Sequence, residues 1–370
     1  MDDITELKSS KHTYTQLADT YGNFLAPAFK IMVDGHDLLR EGLVIEHLSV
    51  DTSVEKADSF SCVITNVFEP IRRAWLMDQK GNEKKYIEIG KEVEIQMGYK
   101  DKLKVIFYGH VTSMRYNATP TEAPQIILGG MDYSFNIMKG QKSRSWSKKK
   151  HSDIVKQLAP SNISAKVDDT EVVLNIVEQV RETDYQFLSR LADFHQYEFF
   201  FSGKKMYFRK PHQSKTPVVT LEWGKSLFQA SVNADLGDQI GAVEVHGWDH
   251  IKKEPIKAKN APVKPLGLLA RTGQWFLKKV LGKEVVENFY TQASSAQEAE
   301  KMATAIINKR SMQLVLGNAE CIGLPEVRAG RYIQFAGLGK LNNVYYITNA
   351  SHTIDQSGYF THITIGGNDL

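Results

Sequence analysis

Residue types that could do chemistry are present, but their spacing assembles no site. His246-Gly-Trp-Asp-His250 sets two histidines four apart, which on a helix would turn both toward a zinc ion. The run follows a strand-like segment, contains Gly247 and has no third ligand nearby. Ser351, His352 and Asp355 are the residue types of a nucleophilic triad, without a Gly-x-Ser-x-Gly elbow. As strand neighbours, Ser351 and His352 point to opposite faces. Gly337-Leu-Gly-Lys340 lacks the spacing of a phosphate loop. Glu171, Glu178 and Glu182 have no partner that marks acid–base work and read as a solvated face. The basic segment from Gly140 to Lys150, with Trp146 inside it, reads as a solvated loop rather than a nucleic-acid patch. The expectation is no catalytic group, no cofactor and no metal.

What the chain does carry is a repeat. Between Tyr86 and Asp132 lie Ile89–Met97, Val105–Thr112, Gln125–Leu128 and Gly129-Gly-Met-Asp132. From Leu324 to Asp369 lie Arg328–Phe335, Val344–Thr348, Tyr359–Ile365 and Gly366-Gly-Asn-Asp369. Gly90-Lys91 answers Gly330-Arg331, and the Gly-Gly-x-Asp ending occurs in both spans in the same order. Each span reads as short strands joined by Gly/Asn/Asp turns, the pattern of a small antiparallel barrel or sandwich. One chain is expected to hold two copies of one β-module. Gly90, Gly129, Gly130, Gly330, Gly366 and Gly367 are expected to set its turns and strand ends.

Composition narrows the function classes. The 370 residues allow two or three domains with real cores. A net charge of +3 argues against specific nucleic-acid binding. Cys62 and Cys321 are the only cysteines, so a disulfide framework is excluded and synthesis in a reducing compartment is the simpler reading. The N-terminus lacks a secretory signal, and no apolar stretch is long enough for stable membrane insertion.

Residues 1–24 read as a polar arm, and 25–140 as the first module. Residues 141–212 read as an α/β insertion. Ser152 is expected to cap its first helix, whose apolar face is Ile154, Val155 and Leu158. Thr183-Asp-Tyr-Gln186 is a capping box opening a second helix, with Tyr185, Phe187, Leu188 and Leu191 holding the unit. An aromatic hairpin from Tyr197 to Phe208 packs on it. Residues 213–250 and 313–370 form the second module, with Gly241–His246 as one of its strands. Residues 251–312 interrupt it: a Lys/Pro-rich linker from Lys252 to Pro265, a basic amphipathic segment around Leu269, Trp275, Phe276 and Val280, and a helix capped by Ser295. The fold class is mainly β, with two similar antiparallel modules and a small helix–hairpin domain.

Several stretches together resemble the phage late control gene D/VgrG family of contractile injection systems. They are Thr183–Ala192 with Tyr197-Glu-Phe-Phe-Phe201, Ser143–Trp146 with Ser152–Val155, and the ending through Gly323-Leu-Pro, Arg328–Gly330, Gly337–Gly339, Tyr345-Tyr-Ile and Gly358–Thr361. The resemblance implies a non-enzymatic baseplate hub. It implies a homotrimer whose six similar barrels join a hexameric, Hcp-like tail tube to a trimeric spike, among other baseplate subunits. It also implies a protein made in the bacterial cytoplasm and built into a phage-tail-like particle. Two departures stand out. Gln196 replaces a glycine at a helix end, and no β-helical spike sequence follows the second module, so the spike is expected on a separate chain. The rival readings are a particle-borne cell-wall hydrolase and a stand-alone carbohydrate-binding β protein with Trp146 or Trp248 as an exposed platform.

Overall fold

Alternation of apolar and polar residues writes most of the strands. Ser59-Phe-Ser-Cys-Val-Ile-Thr65, for example, buries Phe60, Cys62 and Ile64 and turns the intervening residues outward. The computed structural model describes residues 7, 11–71, 73–75, 87–119, 121, 123–211, 215–249, 252–291, 293 and 295–370. Helix α1 (Tyr14–Thr20) belongs to the expected arm. It does not need a neighbouring subunit to order it: Leu17, Tyr21 and Phe24 are buried in the chain's main core, and the His12 amide donates to the Val218 carbonyl at 2.7 Å.

The first module holds β1 (Pro27–Val33), β2 (His36–Asp37), β3 (Val44–Ser53), β4 (Ser59–Thr65), the small β5 (Phe68–Glu69) and β6 (Ala74–Trp75) hairpin, β7 (Glu92–Tyr99), β8 (Lys102–Asn117) and β9 (Gln125–Asp132). Its main strands pair in the order β3-β4-β9-β8-β7-β1-β2.

The first insertion contains β10 (Lys142–Lys150), α2 (His151–Leu158), β11 (Ser164–Val167), β12 (Val173–Glu182), α3 (Asp184–His195), β13 (Glu198–Ser202) and β14 (Lys205–Arg209). Phe187, Leu188 and Leu191 are buried in its core with Ile154, Val155 and Phe199, and Tyr185 packs at the edge. The capping box at Thr183 forms as expected. Gln196 takes the left-handed conformation a glycine would have favoured (φ +52°), and its side chain donates to the Asp193 carbonyl. Two local expectations change. The segment around Trp146 is strand β10 rather than a loop, paired with β12, and Trp146 stacks on Phe187 with ring centroids 5.4 Å apart. Helix α2 starts two residues earlier than expected, so Ser152 sits in its first turn and Lys150 is the N-cap.

The second module begins with β15 (Pro217–Glu222) and β16 (Leu227–Ala234). A second insertion follows: β17 (Ala242–Asp249), β18 (Glu254–Lys259), α4 (Gly273–Leu281), β19 (Val286–Tyr290) and α5 (Ala296–Ser311). The module resumes with β20 (Val315–Ile322), β21 (Tyr332–Ala336), β22 (Val344–Asp355) and β23 (Gly358–Gly367). The expected strand Gly241–His246 is displaced from this module: as β17 it pairs with β18 and β19. Val243 and Val245 pack there against Ala299, Ala303 and Ile307 of α5. The Lys/Pro-rich stretch read as a linker supplies β18. The interruption is therefore a small α/β unit with its own core.

The two modules repeat at the level of hydrogen-bond register. The second pairs in the order β16-β20-β23-β22-β21-β15, which matches β3-β4-β9-β8-β7-β1 strand for strand. Bulges fall at equivalent places: Glu46 in β3 against Phe228 in β16, and Thr112 in β8 against Thr348 in β22. Gly90 and Gly330 coincide. Each has positive φ (+94° and +86°), and each donates its amide to the strand opposite, Val111 or Ile347, at 2.8 and 2.9 Å. The following residues, Lys91 and Arg331, accept from those same strand residues at 2.9 Å. The Gly-Gly-x-Asp pairs, by contrast, are out of step by two residues. Gly129 and Gly130 oppose Ser61 and Phe60, whereas their register equivalents are Thr364 and Ile365. The modules also differ at one edge: β1 runs antiparallel to β7, and β15 runs parallel to β21.

Candidate assembly interface

The modules meet at a seam made by β22 and β3. Residues Asn349–Ile354 pair antiparallel with Leu48–Ser53, so one sheet passes from module to module. Polar residues line one face of this seam: Ser351 opposes Asp51, Thr353 opposes Ser49, and the Ser53 hydroxyl donates to Asn349 Oδ1 at 3.0 Å. On the other face Leu48, Val50, Ala350 and His352 are buried. The polar face continues through Thr364, Asn318 and Ser231 on β23, β20 and β16, and encloses a depression of about 470 Å³. Hydroxyl and amide side chains line it together with the charged Asp51, Lys56 and Glu320 and the small apolar Ala57 and Ala319.

Behind the seam, buried charges tie the units together. Arg328, just before β21 and only 2% exposed, pairs with Asp58 of the first module. It also donates to the carbonyls of Phe201 at 3.1 Å and Ile106 at 3.3 Å, reaching the first insertion and β8. The Asp58 amide donates to Asp132 Oδ2 at 2.8 Å. Burial pushes both carboxyls up, Asp132 to about 7 with the Asp58 charge adding to it, while Arg328 opposes the rise at Asp58. A second cluster joins Glu198, Arg209 and Tyr346, and Arg209 also donates to the Gly330 carbonyl at 2.9 Å. At the other side Glu326 accepts from the Tyr21 hydroxyl at 2.7 Å and pairs with Lys104 at 3.2 Å, clamping the arm to both modules. Asp369 receives the Gly267 and Leu269 amides, each at 2.8 Å, and so pins the second insertion to the second module. Sequence reading missed Arg328, Asp58 and Asp132 as a group, since nothing local marks residues 270 positions apart as partners.

The chemistry-bearing residues are placed as follows. His352 is buried: its Nε2–H donates to the Val327 carbonyl at 2.8 Å, which leaves Nδ1 to accept from the Tyr359 hydroxyl at 2.9 Å. Burial pushes its pKa down to about 4. Ser351 lies on the opposite face, and Asp355 accepts from the Ser357 amide at 2.8 Å, so the three do not form a relay. His246 sits on β17 beside Glu244 (3.0 Å) and Asn288 (3.1 Å), and His250 lies outside the described residues. Among the described residues no three His, Cys, Asp or Glu side chains gather as metal ligands would. Glu171 pairs with Lys210 at 3.3 Å and with Lys301 of α5, bridging the two insertions, and Glu182 pairs with Arg190 at 2.8 Å. The expected structural glycines divide by role. Gly90 and Gly330 occupy positive-φ turns, whereas Gly129, Gly130, Gly366 and Gly367 lie within strands. A Cβ at Gly130 would collide with the His110 carbonyl and the Phe60 ring. No helix among the described residues is long and apolar enough to cross a membrane.

This mainly-β fold with large antiparallel sheets matches that of phage tail proteins. The 43 kDa tail protein of prophage MuSo2 from Shewanella oneidensis is similar at a TM-score of 0.68 and 13% identity, over 92% of this chain and 98% of that one. A tail protein from Neisseria meningitidis MC58 is similar at 0.65 and 14%, over 92% and 96%. An Escherichia coli component of the type VI secretion system, itself described as similar to the T4 tail proteins gp27 and gp5, gives 0.57 and 9%, over 88% and 74%. The chain belongs to the family described as Alg8 N-terminal domain, whose model matches residues 25–356. The motif-based likeness to the late control gene D/VgrG family thus holds at the level of the tail-protein fold, and the family that matches is a different one. No curated protein matches the chain.

Proposed function

We propose that the protein is the structural hub of a contractile injection apparatus, a non-enzymatic homotrimer that joins a six-fold tail tube to a three-fold spike. The internal duplication carries this reading. Three copies of a chain with two register-matched modules present six similar elements to a hexameric ring and keep true three-fold symmetry for a spike. The largely polar wall across both modules suits the lining of a central passage, and the buried Arg328 and Arg209 clusters suit a body that transmits force without hinging. The late control gene D/VgrG-type hub role, with tube, spike and other baseplate subunits as partners, is the finer form of this reading. The tail-protein fold of the neighbours supports it. The experiment is native mass spectrometry of the chain mixed with the tube-forming protein of its own apparatus. Three hub copies to six tube subunits is the expected ratio. Equal numbers of the two, or release of soluble fragments from peptidoglycan by the hub alone, would overturn the proposal.

A further inference from the structure

Two histidines face one another close to where the two insertions meet. His151 opens α2 and His195 closes α3, and His151 Nδ1 lies 2.8 Å from His195 Nε2. At that distance one nitrogen donates and the other accepts, so the bond needs at least one neutral ring. Aromatic rings keep water from the pair. Phe194 meets His151 and His195 edge-on with centroids 5.5 and 5.1 Å away, and Tyr197 lies 5.4 Å from His195. His151 is 6% exposed and His195 is half-buried. Beyond them α3 lies against α5 of the second insertion, where Asp193 pairs with Lys309 at 3.9 Å.

The other charged groups around the pair are already engaged. On α3, Arg190 is paired with Glu182. On α5, Lys301 is paired with Glu171, which also holds Lys210. At the start of α2, Lys150 is paired with Asp169 at 2.9 Å, and Asp153 is exposed. In the loop 168–171, Asp168 accepts from the Lys210 amide at 2.8 Å, and Asp169 also accepts from the Ser152 hydroxyl at 3.1 Å. Tyr197 donates its hydroxyl to the Asp169 carbonyl at 3.2 Å. Besides the rings themselves, the charges that bear on the pair are those of Arg190 and Lys301, both cationic.

We infer that the His151–His195 bond is a latch released by acid, which holds the end of α3 on the start of α2 and, through α3, the first insertion against α5. One added proton leaves a charge-assisted N–H···N bond in place. A second leaves two imidazolium rings with no acceptor between them, beside Arg190 and Lys301. Burial above all, with the His195 charge at His151 and the Lys301 charge at His195, holds both rings at about 4, against 6.5 for a free histidine. The opened latch therefore binds more protons than the closed one. The bond is at full strength above pH 6.5 and weakens as pH falls toward 4. Glu171 does not share this response: its hydrogen bonds from Lys301 and Lys210 hold its carboxyl below the usual range, so that bridge stays charged while the latch opens.

Hydrogen exchange on the full chain at pH 7 and pH 5, corrected for the intrinsic rate, tests the latch. The comparison is His151→Asn with His195→Gln, whose amides reach the Nδ1 and Nε2 positions and do not titrate. Each ring contributes about tenfold over these two pH units, so protection over α2 and the end of α3 should fall about a hundredfold more in wild type than in the variant. Strands β4 and β9 should change alike in both chains. An equal loss over α2 and α3 in both would overturn the latch. Should the variant not fold, NMR of wild type with carbon-labelled histidine rings decides. Two rings still neutral at pH 5, titrating together as α2 and α3 lose protection, support the latch, and two rings that titrate near 6.5 overturn it.

Discussion

The loops Glu88-Ile-Gly-Lys91 and Arg328-Ala-Gly-Arg331 have the same backbone and opposite surroundings. Both place a glycine at positive φ and clip it to the strand opposite through the same pair of amide bonds. In the second module Arg328, Ala329 and Arg331 are buried: Asp58 and Val54 of the first module and Phe200 and Phe201 of the first insertion lie against Arg328 and Ala329, and Arg331 donates to the Glu326 carbonyl. In the first module Glu88 and Ile89 are exposed, and Lys91 pairs with Asp34 at 2.8 Å. Backbone geometry is therefore a property of the module, and burial is a property of what stands beside it. Ile89, 62% exposed, and Ala329, 2% exposed, hold equivalent places in the two loops, and only the second loop is covered within the chain.

The largest expected difference lies in the charges. Arg328→Ala should cost about 3–5 kcal/mol in urea unfolding, because Asp58 would remain buried without its cation. Glu88→Ala, at the same register, should stay within about 0.5 kcal/mol. Equal losses at the two sites would remove the distinction between the buried loop and its exposed counterpart.

A smaller contrast comes from pH. His352 is held neutral, with a folded pKa of about 4 against 6.5 unfolded. The unfolded chain binds the extra proton in this window, so the contribution of His352 is complete above pH 6.5 and falls as pH drops toward 4. The stability gap between wild type and His352→Gln should narrow by about 2 kcal/mol from pH 7 to pH 5. Asp132 acts in the opposite direction, since its raised pKa favours the folded state as pH falls, but it is common to both chains and cancels in the difference. A constant gap would mean that His352 titrates normally.

The smallest contrast is steric. Gly90→Ala should cost about 1–2 kcal/mol for its positive φ alone. At Gly330 a Cβ would also lie 2.8 Å from Arg209 Nη2, so Gly330→Ala should unfold at lower urea than Gly90→Ala. The reverse order would show that the Arg209 cluster gives way freely.

The part of this arrangement legible in the sequence was the part written in local conformation. A glycine followed by a basic residue marks a turn whose φ other residues avoid, and that match survives in the register. The Gly-Gly pairs were misleading as repeat markers because strand glycines answer local crowding. Gly130 yields to Phe60 and His110, whereas Gly367 yields to Tyr345. Alternation revealed β17 as a strand but not its sheet, since period-two patterning carries no partner's address. Strand β10 read as a loop because its ribbon is exposed on much of both faces and carries charge where a core strand would not. Arg328 looked like one more surface charge, and only the tertiary fold brings Asp58 to it.

The most direct test of the central claim is the mass in solution of wild type and Ile89→Asp, by light scattering at matched concentration. The chain is 41.8 kDa. If its outer edges are completed by further copies, wild type forms a three-copy species of about 125 kDa, three times the chain mass. Ile89→Asp should then remain at the single-chain mass with an unchanged urea midpoint. A wild type that stays monomeric with the tube protein present, or an Ile89→Asp variant that assembles as well as wild type, would contradict the account.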